Sequence, residues 1–404
     1  MKIITLCAIL LVPIFFAQAQ WTLQSAGTSE VLLGVSFVSC DTGMMAGTAG
    51  TILKTTNGGS SWTPQTSGTG NFLRDVHCID NLRAVIVGES GRILRTTNGG
   101  SNWLPVSSPT TEHLVHVHFV DSMIGLATGQ NGVVLFTSDG GGTWIPQTSG
   151  TNVELAGAFL ASPTVFFAAG FAGTILKTTN AGQNWTALQS HTTADLRSAV
   201  FPAADTGFVV GYGGTILRTT NAGATWDSMT SGTSSNLFAV DFLNGATGTA
   251  VGTGKILRTT NEGLTWSNQT AQTSVDLYDV DFTDQLFGTA VGQNGTIRRT
   301  TNGGNPTGVT EPRLPHDGPE LLQNYPNPFN PGTTIVFHLP HTSFVNLAVF
   351  NALGQEVGTL ANATLQGGTH ELVFSATSNL PAGVYVYRLV TPDFIRTRTM
   401  VLLK

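Results

Sequence analysis

Apolar and polar positions along this chain follow a long rhythm before they resolve into single elements. The run Gly50-Thr-Ile-Leu-Lys-Thr-Thr-Asn-Gly-Gly-Ser-Ser-Trp62 returns in recognisable form at Gly91, Gly132, Gly173, Gly214, Gly254 and Gly295. The step is 41 residues with a single step of 40, and Trp62, Trp103, Trp144, Trp185, Trp226 and Trp266 keep the same beat. Units that repeat at this period bury their apolar surface against copies of themselves.

Each unit predicts four short strands. An alternating run such as Leu114-Val-His-Val-His-Phe119 supplies the first. A short apolar run ending in glycine, such as Thr289-Ala-Val-Gly292, supplies the second. The β-branched Gly-Thr-Ile-Leu phrase is the third, and the turn Thr-Asn-Gly-Gly leads into a fourth strand anchored by Trp. Ile52 and Leu53 are adjacent and both apolar, so the sheet should be covered on both faces by other sheets. Four strands in about 41 residues make one propeller blade.

The ends fix the count. Trp21 stands 41 residues before Trp62 with no hairpin ahead of it, while Thr307 occupies the Trp slot after the last phrase. The start of the chain therefore carries the fourth strand that the last repeat lacks, and pairing the two removes a pair of open sheet edges. The expected fold is all-β: a seven-bladed β-propeller over 20–304, closed by a strand from the N-terminus. From Asn305 to Glu320 the beat stops, and Pro306, Pro312, Pro315 and Pro319 predict a stiff linker. Residues 321–404 alternate differently, with strands at Thr334–Leu339, Val345–Phe350, Glu371–Phe374, Gly383–Leu389 and Met400–Lys404, and predict a small immunoglobulin-like β-sandwich.

Residues 1–19 predict a leader: Lys2, an apolar run from Ile3 to Phe16, and the small-residue pattern Ala17-Gln18-Ala19. No later stretch approaches the ~20 apolar residues of a membrane span. A net charge of −6 offers no basic face to nucleic acid. Beyond the leader only Cys40 and Cys78 remain; an inter-blade disulfide is conceivable, and two buried free thiols are the preferred reading.

Function is sought where the repeat is broken. The turns between second and third strands and the starts of the first strands share one end of the ring. The residue after the leucine that opens each first strand varies: Leu33, Arg74, Val115, Ala156, Arg197, Phe238 and Tyr278. With Glu89, Phe171 and Tyr212 from the turns, the candidate ligand-binding face is Arg74, Glu89, Phe171, Arg197, Tyr212, Phe238 and Tyr278. Lys54, Arg95, Lys177, Arg218, Arg258 and Arg299 share one rung and are read as stems packed on a neighbour with their heads in water. His116 and His118 share a strand face near His113, but no partner is fixed beside them, so no metal and no cofactor are expected. No pair of carboxylates is set for glycoside hydrolysis.

Two resemblances sharpen this. Thr55, Asn57, Gly59 and Trp62 match the Asp-box spacing of the sialidase-like and photosystem assembly-factor propellers, in which the box is a turn staple. The resemblance implies a structural role for Asn57, Asn98, Asp139, Asn180, Asn221, Asn261 and Asn302. Residues 321–404 resemble the type A C-terminal sorting domain of the type IX secretion system, through Tyr325-Pro-Asn-Pro-Phe-Asn-Pro331, Asn351-Ala-Leu-Gly-Gln-Glu-Val357, Leu380-Pro-Ala-Gly-Val-Tyr385 and the Met-Val-Leu-Leu-Lys end. That resemblance implies passage through the periplasm to the outer-membrane surface of a Gram-negative bacterium, or release from it, with the type IX machinery as partner. The expected protein is a monomeric, non-enzymatic propeller that binds a protein or glycan. A sialidase-like glycoside hydrolase and a structural cell-envelope component are the alternatives.

Overall fold

The computed structural model describes residues 21–304 and 320–403, apart from 244, 270–272, 322–323, 325–326, 328, 340, 352–353, 378–379 and 393. The leader and most of the linker inferred from the sequence lie outside the described residues. The chain divides into two compact units, one ending at Gly308 and the other starting at Val309.

The first unit contains seven four-stranded antiparallel sheets. Blade 1 is Leu32–Phe37, Gly43–Gly47, Ile52–Thr55 and Thr63–Gln65, and the next five blades repeat this order. Blade 7 takes three strands from Leu277–Phe282, Gly288–Gly292 and Ile297–Thr300, and its outermost strand is Thr22–Gln24. Thr22 pairs with Arg299 and Gln24 with Ile297, so the N-terminal strand closes the ring as the sequence predicts.

Seven apolar cores lie between blades rather than within them. Ile52 joins Leu73, Val76 and Ile86 of blade 2, whereas its neighbour Leu53 joins Val291 and Ile297 of blade 7. That is the two-sided burial expected of adjacent apolar residues in one strand. Each Trp packs back onto the preceding blade: Trp103 with blade 1, and Trp21, 1% exposed, with blade 6. In five blades this indole meets a phenylalanine edge to face, as in Phe37 with Trp62 at 5.9 Å and Phe282 with Trp21 at 5.7 Å.

The shared cation rung corrects the sequence reading. Its heads do not simply enter water; they reach the next blade. Lys54 Nζ donates to the Gly99 carbonyl at 2.6 Å, Arg95 Nε to Gly140 at 2.8 Å and Lys177 Nζ to Ala222 at 2.6 Å. All three acceptors occupy the same place in the following Asp-box turn. Arg218 reaches the Glu262 carboxylate at 2.9 Å, and Arg299, 4% exposed, donates to the Cys40 carbonyl at 2.7 Å and to Thr289 at 2.6 Å. A donor at the end of a long stem satisfies a turn carbonyl that the neighbouring sheet cannot reach.

The second unit holds a three-stranded sheet, ordered Glu320–Leu321, Gly332–Leu339, Gly368–Ser375, and a four-stranded one, ordered Glu356–Leu365, Ser343–Asn351, Gly383–Thr391, Phe394–Leu402. Phe329, Ile335, Phe337, Val345, Leu347, Tyr387 and Met400 share one core between them. The opening motif clamps the last strand: Phe329 exchanges backbone bonds with Val401 and Leu403, and Asn327 Oδ1 accepts the Val401 N–H at 2.8 Å. Glu320, placed in the linker by the sequence, begins the first strand of this unit.

Candidate functional site

The Asp-box side chains act inside their own turns. Thr55 Oγ1 donates to Asn57 Oδ1 at 2.9 Å and accepts the Gly59 N–H at 2.9 Å, while Asn57 Oδ1 accepts the Ser61 N–H at 3.0 Å. Asp139 takes N–H groups from Gly142 and Thr143, both at 2.9 Å, and these bonds hold its carboxyl below the usual range despite the cost of burial. The same pattern recurs at Asn98, Asn180, Asn221 and Asn261, and the Thr300–Asn302 bond repeats it in blade 7.

The other end of the ring is built by a repeated irregularity. In all seven innermost strands the pairing with the second strand shifts between the opening leucine and the second residue after it. The extra residue is in turn Leu33, Arg74, Val115, Ala156, Arg197, Phe238 and Tyr278. A bulge re-aims the side chain it carries, and these seven all line a single funnel on the ring axis, open to solvent. Asp75, His116, Ser198, Ala239 and Asp279, one residue further along their strands, line it with them.

Five of the candidate residues form a continuous arc across blades 4 to 7. The Arg197 guanidinium lies over Phe171 at 5.5 Å and Tyr212 at 5.8 Å. Tyr212 meets Phe238 at 6.0 Å, and Phe238 meets Tyr278 at 5.3 Å. The Tyr278 hydroxyl accepts from Gln293 Nε2 at 3.1 Å, and the same amide donates to Asp276 at 3.0 Å. Arg74 and Glu89 sit in blade 2 as an ion pair at 3.1 Å.

The mixed aromatic and guanidinium face expected from the sequence needs one correction. Neither arginine is an unopposed cation, because Arg197 is also paired, with Glu154 at 3.4 Å. Glu154 opens no motif, so only the fold brings it to the rim. The histidines separate: His113 Nδ1 accepts the Ser90 N–H at 2.9 Å at the turn, His116 stands 3.8 Å from Asp75, and His118 packs on His77 and Phe159 deeper along the axis. Among the described residues no group of three or more His, Cys, Asp or Glu is set to hold a metal. Both cysteines are free, Cys78 buried and Cys40 only half-buried, which corrects the expectation of two buried thiols.

Sequence reasoning missed the carboxyls of the innermost strands as staples; Asp75 is buried and the other three half-buried. Asp279 Oδ2 accepts the Val35 N–H at 2.7 Å and Asp281 Oδ2 the Phe37 N–H at 2.6 Å, stapling blade 7 to blade 1. Asp75 staples blade 2 to Val117 at 2.8 Å, and Asp241 staples blade 6 to Phe282 at 2.8 Å. Burial pushes Asp241 up to about 6 and, with the charge of Asp241 nearby, Asp281 up to about 8. Asp279 is raised well above the usual range by burial and by the charge of Asp75, and burial also raises Asp75. Burial lowers His77 to about 4 and holds His118 well below its ordinary value.

These features define a seven-bladed propeller with an axial funnel, followed by a separate all-β unit. Residues 15–108 and 101–193 match the family described as photosynthesis system II assembly factor YCF48, and residues 323–402 match the secretion system C-terminal sorting domain. Part of the propeller thus matches the YCF48 model, and the chain carries a sorting domain that marks it for secretion. Among solved structures, YCF48 bound to D1 peptide aligns with a TM-score of 0.61 at 19% identity, over 72% of this chain and 100% of that one. YCF48 from Cyanidioschyzon merolae aligns at 0.59 and 19% identity, over 69% and 98% of the two chains. The WD40 propeller domain of Doa1 aligns at 0.58 and 14% identity, over 69% and 96%. At these identities the likeness establishes the fold alone. No curated protein matches the chain. Among the described residues no helix is long and apolar enough to cross a membrane.

Proposed function

We propose that the protein is a non-catalytic binding propeller, exported by the type IX secretion system to the outer-membrane surface or beyond it, whose funnel end holds a protein or glycan ligand. The continuous arc Phe171–Arg197–Tyr212–Phe238–Tyr278 carries this reading. Four rings and a guanidinium from four blades are the side chains that dominate binding energy elsewhere. The opposite end commits its polar side chains to Asp-box turns and blade latches. One solved relative by fold is bound to a peptide, which accords with a propeller acting as a holder.

The funnel carboxyls support binding over hydrolysis. Asp75 and Asp279 each accept two backbone N–H groups, from Val76 and Val117 and from Val280 and Val35. Groups fixed in this way between blades are poorly placed to act as nucleophile or proton carrier. A sialidase would need unopposed arginines for the substrate carboxylate, and both funnel arginines are paired.

Pull-down from the native medium and a glycan array test the reading. Tyr278→Ala and Arg197→Ala should each weaken the captured ligand about tenfold or more, and Leu264→Ala at the Asp-box end should not. Release of a fluorescent aglycone from a sialoside by the purified protein would overturn it.

A further inference from the structure

The funnel carries a charge imbalance that the pairing at its rim does not correct. Arg74 and Arg197 face Glu89 and Glu154, so those charges cancel. The lining adds the carboxyls of Asp75 and Asp279 from blades 2 and 7, with His116 standing 3.8 Å from Asp75. Around the same end, Glu30, Glu112, Asp195 and Asp276 bond to the rim turns, against Arg92 and Lys255 at the starts of third strands.

The two lining carboxyls are held in place, with only the His116 imidazole near Asp75 and no cation among the groups that shift Asp279. Each accepts a backbone N–H on either oxygen, which leaves further lone pairs for a ligand's donors. Burial disfavours the ionised form of both, and the charge of Asp75 adds to this at Asp279. A cation entering between them relieves both effects.

Carboxyls alone would be a solvated rim. Here the same cavity carries aromatic rings: Phe238 and Tyr278 line it 5.3 Å apart, with Tyr212 6.0 Å beyond Phe238. Ring faces attract cations, and this end already uses that chemistry internally, with the Arg197 guanidinium over two rings and beside Glu154. The rings are half-buried rather than displayed, so the funnel admits a narrow group and not a flat protein face.

We infer that the funnel takes a protruding lysine or arginine side chain of a peptide segment, with its stem against Phe238 and Tyr278 and its charged head between Asp75 and Asp279. This rests on the funnel end being the binding end. It narrows the ligand from a protein or glycan to a basic peptide.

Fluorescence anisotropy with the full chain tests it, using fluorescein-labelled Gly-Ser peptides with one central lysine, arginine or acetyl-lysine, beside a panel of neutral oligosaccharides. The lysine and arginine peptides should bind, and acetylation should weaken binding about tenfold or more. Raising salt from about 50 to about 500 mM should weaken it severalfold. Asp279→Asn keeps one acceptor oxygen for the two backbone N–H groups, and both it and Tyr278→Ala should lose about tenfold or more when assayed at a temperature where each variant is fully folded. If Asp279→Asn does not fold, Phe238→Ala takes its place. Equal binding of the acetylated peptide, no peptide binding, or indifference to these variants overturns the inference. A neutral oligosaccharide lost on Tyr278→Ala overturns it while leaving the binding end standing. A ligand indifferent to every funnel variant removes both.

Discussion

A close side-chain contact that recurs around the ring is between a phenylalanine and a glycine. Phe37, Phe119, Phe242 and Phe282 end their innermost strands and Phe201 directly follows its own, and a Cβ built on Gly43, Gly125, Gly207, Gly248 or Gly288 would lie 2.3–2.5 Å from the ring. Where the ring is replaced, its partner changes too: Cys78 pairs with Ala84, and Leu160 with Phe166. Cys78 is thus a small filler beside Trp103, and burial pushes its thiol up to about 12, far from a reactive thiolate. Cys78→Phe alone should cost about 1–3 kcal/mol through overpacking, and adding Ala84→Gly should restore most of that in a urea-denaturation double-mutant cycle. The phenylalanine slot was legible in the sequence as a repeated position. Its glycine partner was not, because the two are six residues apart and meet only once the hairpin forms.

At the scale of elements, two devices turn seven similar sheets into one ring. One is the latch from a third strand to the next blade, which ends on the Asp-box turn for Lys54, Arg95, Lys177 and Arg218 and on the Cys40 carbonyl for Arg299. Arg299→Met should destabilise by about 2–3 kcal/mol, since it leaves the Cys40 carbonyl and Thr289 without a charged donor. Lys54→Met, at a half-buried site, should cost less; thermal melts of the pair provide the comparison. The second device is the closing strand. Trp21→Ala should cost about 3–5 kcal/mol, and deleting residues 20–24 should bring the unfolding midpoint down further, because blade 7 then loses its outer strand. The closing strand was readable from Trp21 and from Thr307 in the Trp slot of the last repeat. The bulges were overlooked, although Leu73, Val76 and Cys78 are buried at steps of three and then two, a slip of phase that recurs in every blade. Strand Glu356–Leu365 of the second unit was missed for a different reason: its apolar residues Val357, Leu360 and Ala361 fall out of step, so no alternation runs its length.

For the whole molecule, the carboxyl staples along the axis make stability fall as pH rises. Asp241 at about 6 and Asp281 at about 8, with Asp75 and Asp279 also raised, bind protons more tightly folded than unfolded. Their contribution is complete below about pH 4, the unfolded carboxylate value, and is lost between there and about pH 8. His77 and His118 act oppositely, since their depressed values favour the folded state above about pH 6.5. Four carboxyls outnumber two imidazoles, so the melting temperature should be higher at pH 5 than at pH 8, and Asp281→Asn should flatten that slope. The central claim, that the ring works from its funnel end, is tested most directly by photo-crosslinking in the native medium. p-Benzoylphenylalanine would be placed at 238 in the funnel and, separately, at 264 at the Asp-box end. An adduct formed from position 238 and not from 264 is the expected result; adducts from 264 alone, or from neither, would contradict it.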